Sequence, residues 1–233
     1  MAALVNSVRI IAAFQKDKGI SYTSHLDVQR TLQRAFRRAQ LPLAFTKGYN
    51  PHPKLSFATA LATGFSSDGE WIEVEFEQPI APEAFIERAN AALPGGLRFV
   101  TAFEGDDSID TLSKLLLCAR YTVTLHFGTP VTRKSVEAAL ADMLASEEII
   151  VQKKTKSGIK PTNIRPEILE AFVTDEPDGP VRIELLGSLT VAGGLRVETF
   201  WNALYDRLGV SGFASVHRNS LYFTGTDRLP HLA

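Results

Sequence analysis

YTSHLDVQRTLQRAFRRAQLPLAFTKGYNPHPKLSFATA, residues 22–60, decides how the chain is read. It runs from a capped helix through a stiff loop into the next extended segment. Ser24 can cap the helix, and Asp27 three residues later completes a Ser-x-x-acid box that satisfies free amides at the helix start. Val28, Leu32, Ala35, Phe36 and Ala39 recur at helical spacing and make one face apolar. Arg30, Arg34, Arg37 and Arg38 fall on the opposite side, within about a quarter turn. Pro42 ends the helix and pushes Leu41 towards an extended conformation. Asp27 is the only acid beside this stripe, so four arginines on a solvent face suit an anionic partner as well as simple solubility.

The loop that follows is Thr46-Lys47-Gly48-Tyr49-Asn50-Pro51-His52-Pro53-Lys54. Gly48 and Asn50-Pro51 are turn formers. Two prolines around His52 fix the backbone and remove two amide donors, which holds the neighbouring side chains outward. Tyr49 offers a stacking face and His52 a group that titrates near neutrality. His25, Tyr49, Asn50 and His52 are therefore the candidate anion or recognition site, with Lys47 and Lys54 beside them. A rigid connection around a buried tyrosine is the plainer alternative.

Working outward, residues 7–14 read as a strand before the basic helix and residues 54–62 as a strand after it. Glu70–Glu77, EWIEVEFE, alternates as a half-buried third strand. Pro82 opens a helix with Phe85, Ile86, Ala89 and Leu93 inward, Pro94-Gly95-Gly96 ends it, and Leu97–Phe103 is a fourth strand. This β-α-β-β-α-β order is the ferredoxin-like arrangement. After a polar, acidic stretch at residues 104–114, which reads as a linker, the pattern repeats. Strands are read at Ala119–Phe127, Glu148–Lys154, Ile168–Val173, Val181–Gly187 and Ser215–Phe223. Thr132 caps one helix, and Val197, Trp201, Leu204 and Leu208 line another. The predicted fold class is α+β, two tandem ferredoxin-like halves with antiparallel sheets. The first spans residues 1–104 with the basic helix and NPHPK loop, the second residues 115–233. One large α+β domain with a continuous sheet is the alternative.

The second half has a basic cluster of its own. Lys153, Lys154, Lys156, Lys160 and Arg165 crowd together without an acid among them, and Ser157-Gly158 marks a hairpin tip. Lysines can guard a strand edge against unwanted pairing. They can equally contact an RNA backbone.

Composition bounds the remaining chemistry. The chain has 233 residues, 45% hydrophobic and 22% charged, with a net charge of −1, so a basic site has to be local. Cys118 is the single cysteine and sits in an apolar run. One cysteine makes no internal disulfide and no cluster of thiolate ligands. His25, His52, His126 and His217 lack metal-ligand spacing. No phosphate-cradling glycine loop or nucleophile elbow is present. No metal, cofactor or catalytic residue is assigned. The first residues lack the basic start of a secretion signal, and no apolar run is long enough to span a bilayer, which points to the cytoplasm.

Ser24–Leu61, SHLDVQRTLQRAFRRAQLPLAFTKGYNPHPKLSFATAL, resembles the N-terminal signature of the radical-SAM-linked protein family. The likeness is dense over residues 14–75 and continues more weakly to about residue 220. It implies a bacterial domain fused to, or encoded beside, a radical SAM enzyme, with a role in RNA modification. Radical SAM clusters need three cysteines, so the radical chemistry would belong to the separate partner. The resulting expectation is a non-catalytic module that binds tRNA or rRNA and presents it to that enzyme. Arg30, Arg34, Arg37, Arg38, Lys47, Lys54, Lys153, Lys154, Lys156, Lys160 and Arg165 would contact the RNA. The alternatives are a protein-binding adaptor of that enzyme and a metal-independent acid–base ribonuclease. The ribonuclease would use His25 or His52 as base and Lys54 or Arg38 to steady the phosphorane.

Overall fold

A computed structural model describes residues 8–106, 108–155, 158–175, 179–191 and 193–232. The chain is a mixed α+β protein with mostly antiparallel strand pairing and five α-helices among the described residues. It divides into two compact units. The first comprises residues 1–116 and 220–233, the second residues 117–219. The sequence-based bounds, 1–104 and 115–233, instead assign the last fourteen residues to the second half.

The first unit begins with β1 (Val8–Lys16), α1 (His25–Arg38) and β2 (Leu55–Phe57), then β3 (Phe65–Phe76), α2 (Pro82–Ala92) and β4 (Leu97–Gly105). β1 pairs antiparallel with both β4 and β3, and β2 pairs antiparallel with β3, giving the order β4-β1-β3-β2. Alternation puts Ile10, Ala12 and Phe14 of β1 and Ile72, Val74 and Phe76 of β3 on the face that meets the helices. There they join Leu32 and Phe36 of α1 and Phe85 of α2 in one core. Phe85 is the hub of its aromatic contacts, with ring centroids 5.0 Å from Phe99, 5.6 Å from Phe36 and 5.8 Å from Phe76. Each such buried ring stabilises the fold by about 2–3 kcal/mol through area alone.

Three sequence expectations change here. The third strand is not half-buried. Trp71 and Glu73, on its other face, are buried as well. Trp71 packs against Phe103 and Phe223, while Glu73 pairs with Arg9 at 3.2 Å and accepts the Leu112 amide at 2.7 Å. The stretch 104–114 is not a free linker. Ile109 and Leu112 are buried, Arg9 donates to the carbonyls of Ile109 and Asp110, and α3 (Leu112–Leu115) forms there. β2 is far shorter than residues 54–62, since beyond Ala58, whose amide bonds Trp71, the chain bends and buries Leu61.

The second unit contains β5 (Leu116–Phe127, entering from the first), α4 (Arg133–Ala145), β6 (Ile150–Thr155), β7 (Gly158–Asn163), β8 (Ile168–Val173), β9 (Arg182–Thr190), β10 (Gly193–Gly194), α5 (Val197–Leu208) and β11 (Gly212–Phe223, shared with the first). Within it β9 pairs antiparallel with β5, β8 and β10, and β11 neighbours β5. β6 and β7 form a separate two-stranded ladder. The core holds Tyr121, Val123 and Leu125 with Val136, Leu140, Met143, Ile183, Leu185, Phe200 and Leu204. Gly209 ends α5 at φ 65°, a left-handed position that favours glycine. Gly212 starts β11 so close to β5 that a Cβ there would clash with the His126 carbonyl oxygen.

Candidate nucleic-acid interface

α1 forms as its sequence dictates. Ser24 Oγ accepts the Asp27 amide and donates to the Asp27 carboxylate, and this bond holds the carboxyl below the usual aspartate range. Val28, Leu32, Ala35 and Phe36 are buried, so the opposite face is turned to solvent. Arg30, Arg34, Arg37 and Arg38 are all exposed, but their states differ. Arg30 pairs with Asp27 at 3.2 Å. Arg38 donates to the Ala92 carbonyl at the end of α2 at 2.7 Å. Arg34 and Arg37 have neither hydrogen bond nor ion pair among the described residues, and Arg34 helps Arg30 hold the Asp27 carboxyl down.

The loop is a closed projection. At its neck the Thr46 amide donates to the His52 carbonyl and the His52 amide to Thr46 Oγ1, at 2.9 and 3.0 Å. Between them Lys47, Gly48, Tyr49, Asn50, Pro51 and His52 are exposed, and Tyr49 is fully so. Gly48 sits at φ 135°. The side chains of Tyr49, Asn50 and His52 have no hydrogen bond or ring contact among the described residues. Lys54 lies below the neck, half-buried and paired with Glu75.

His25 is the first residue of α1. Its ring meets Phe57 edge-on with centroids 4.5 Å apart. It also lines a pocket of about 10 Å³ with Phe14, Lys16, Val28, Phe57, Leu61 and Glu70. That is room for one water molecule. Lys16 and Glu70 are each only 2% exposed, and Lys16 Nζ donates to the carbonyls of Ser21 and Thr23 at 2.7 and 2.9 Å. Sequence reading passed over both charges. The available signal was parity: Lys16 follows Ile10, Ala12 and Phe14 on the inward face of β1, and Glu70 precedes Ile72, Val74 and Phe76 on that of β3.

The second unit presents the β6–β7 hairpin. Lys153 lies directly opposite Lys160, and neither has an acidic partner among the described residues. Like charges face to face on a ladder are destabilising unless something anionic lies against them. Lys154 pairs in register with Ile159. Its side chain, and the whole of Lys156, lie outside the described residues. Arg165 is half-buried and serves the fold: it donates to the Leu144 carbonyl in the last turn of α4 and to the Ile168 carbonyl, at 3.0 and 3.1 Å. Among the described residues no group of three or more His, Cys, Asp or Glu side chains could hold a metal ion, and no helix is long and apolar enough to cross a membrane.

The described surfaces are an arginine-faced helix with a projecting loop in the first unit and a lysine hairpin in the second, on a mixed α+β protein. The chain belongs to a bacterial family described as "Uncharacterized protein conserved in bacteria (DUF2344)", whose profile matches residues 9–196. None of the curated proteins matches it. Among solved structures, a chain of the crystal structure of a Cbf5-Nop10-Gar1 complex is similar in fold. The TM-score is 0.56 and the identity 12%, over 96% of this chain and 52% of that one. This chain therefore spans about half the length of that neighbour.

Proposed function

We propose that the protein is an RNA-binding module, acting on tRNA or rRNA, that presents its substrate to a separately encoded radical SAM enzyme. The observation that carries this reading is the exposed pair Arg34 and Arg37 on α1, neither of which makes a hydrogen bond or ion pair among the described residues. Tyr49 and His52 on the projecting loop supply groups that can stack on and hydrogen-bond to an unpaired nucleotide. The Lys153–Lys160 pair supplies a second cationic surface. The fold is read as two ferredoxin-like halves in tandem. The orders β4-β1-β3-β2 and β11-β5-β9-β8, each with a helix after its first and third strand, support that reading. The β6–β7 hairpin is then an insertion in the second half. The radical SAM partner rests on the resemblance carried by Ser24–Leu61, and the fold shared with a component of a multiprotein complex is in keeping with a protein that works in an assembly.

The test is binding of fluorescent bulk tRNA at several salt concentrations. If about five phosphates are neutralised, the log–log slope is about −3 to −4. R34A/R37A should weaken binding and flatten the slope. Absence of binding at low salt, or binding indifferent to salt, overturns the reading. Mixing the protein with the radical SAM enzyme encoded nearest to it tests the partnership, which fails if the two do not associate with or without RNA.

A further inference from the structure

β6 has an edge that no strand covers. Among the described residues it pairs only with β7, in a two-stranded ladder of its own. The Ile164 amide donates to the Ile149 carbonyl at 2.9 Å, which makes 149 and 164 a hydrogen-bonded pair. Antiparallel ladders alternate. Val151–Thr162 and Lys153–Lys160 are therefore bonded pairs too, and the backbone groups of Ile150, Gln152 and Lys154 point away from β7. The register agrees, because Gln152 lies opposite Pro161, a residue tolerated only where its nitrogen faces outward. The two edges thus differ. On the β7 side Pro161 removes a donor. On the β6 side every donor remains.

That open edge faces a groove of about 480 Å³ whose far wall is α5. Thr199, Asn202, Ala203 and Asp206 line it at i, i+3, i+4 and i+7, so one helix face of short side chains stands opposite the strand. The Asn202 amide and the carboxylates of Asp206 and Glu148, also in the lining, have no partner among the described residues. The one lining cation, Arg207, is already paired with Asp142. Ile150, at the base of the strand, is 54% exposed.

We infer that this groove takes an extended segment of a partner protein, about six residues long and bearing a basic side chain, added as a strand to β6. The bare backbone edge supplies main-chain hydrogen bonds, as in other strand-addition sites. Asp206 and Glu148 select the positive charge, and an RNA backbone would be repelled by the same two carboxylates. The inference rests on other side chains than the RNA reading, although both use the β6–β7 hairpin.

The experiment selects random decapeptides displayed on phage against the full chain, then measures affinities of synthetic winners by fluorescence anisotropy. Winners should be extended, basic sequences. Q152P removes one outward donor and leaves the bonded pairs of the hairpin in place. It should lower affinity about tenfold or more. E148K/D206K should do the same, with bulk tRNA binding unchanged or stronger. Amide exchange at Val151 and Lys153 reports whether the hairpin survives Q152P. If it does not, the charge-reversal variant alone decides. Failure to obtain any peptide sensitive to these changes overturns the proposal. So does weaker tRNA binding in E148K/D206K, because the groove would then serve nucleic acid.

Discussion

Arg38 on α1 donates to the Ala92 carbonyl on α2 at 2.7 Å, and in return Arg88 on α2 donates to the carbonyls of Ala39 and Gln40 past the end of α1. The two helices therefore cap each other's C-terminal carbonyls, and cations suit that end of a helix dipole. This separates the arginines of one stripe by role. R38A should cost about 1 kcal/mol in urea unfolding and affect tRNA affinity modestly. R34A/R37A should leave the urea midpoint within error and reduce affinity strongly. Equal effects of the two variants on binding would show that the stripe acts only as diffuse charge.

The helix cap, the arginine stripe and the loop were legible because they are local: Ser24, Pro42 and Pro51-His52-Pro53 act on their own neighbours. What was not legible depends on the other layer. Nothing near Trp71 says that Phe103 and Phe223 will cover it, so a strand with alternating glutamates read as half-open. Arg165 looked like part of a phosphate-binding cluster, and only the tertiary fold brings the Leu144 carbonyl to it. The aromatic partner of His25 has the same origin. Phe57 lies beyond the loop in sequence yet supplies the ring that His25 meets.

Lys16 anchors the turn before α1 from beneath. Its ammonium holds two carbonyls, of Ser21 and Thr23, and it is almost wholly out of water. K16M keeps the stem's volume but removes both bonds beside a carboxylate, Glu70, that stays buried. The expected loss is about 2–3 kcal/mol, read as a lower urea midpoint at unchanged m-value. Stability equal to the parent protein would mean that the turn needs no internal donor.

Cys118 is buried, and burial pushes its thiol above the ordinary cysteine range. The folded state therefore favours the neutral thiol. Its contribution to stability is complete below the unfolded thiol's pKa and is lost as pH rises through the higher folded value. Ellman's reagent at pH 8 should label almost nothing in the native protein and one equivalent in guanidinium. Rapid native labelling would place the thiol in contact with solvent.

The facing lysines of the hairpin allow stability to be set against binding. Lys153 and Lys160 repel across the ladder, so K160E converts a like-charge pair into an opposite-charge pair worth about 0.5 kcal/mol more to the hairpin. If the pair only guards a strand edge, K160E should protect the amides of β6 and β7 a little better and leave tRNA affinity untouched. If the pair meets phosphate, the same change should weaken tRNA binding while amide protection rises. It should also flatten the salt dependence by about one to two in log–log slope, because one cation is lost and an anion takes its place. Amide exchange and anisotropy on the same variant separate the two cases. A drop in both protection and affinity would mean that the substitution had only damaged the hairpin, and K160Q would then test the charge with less disturbance.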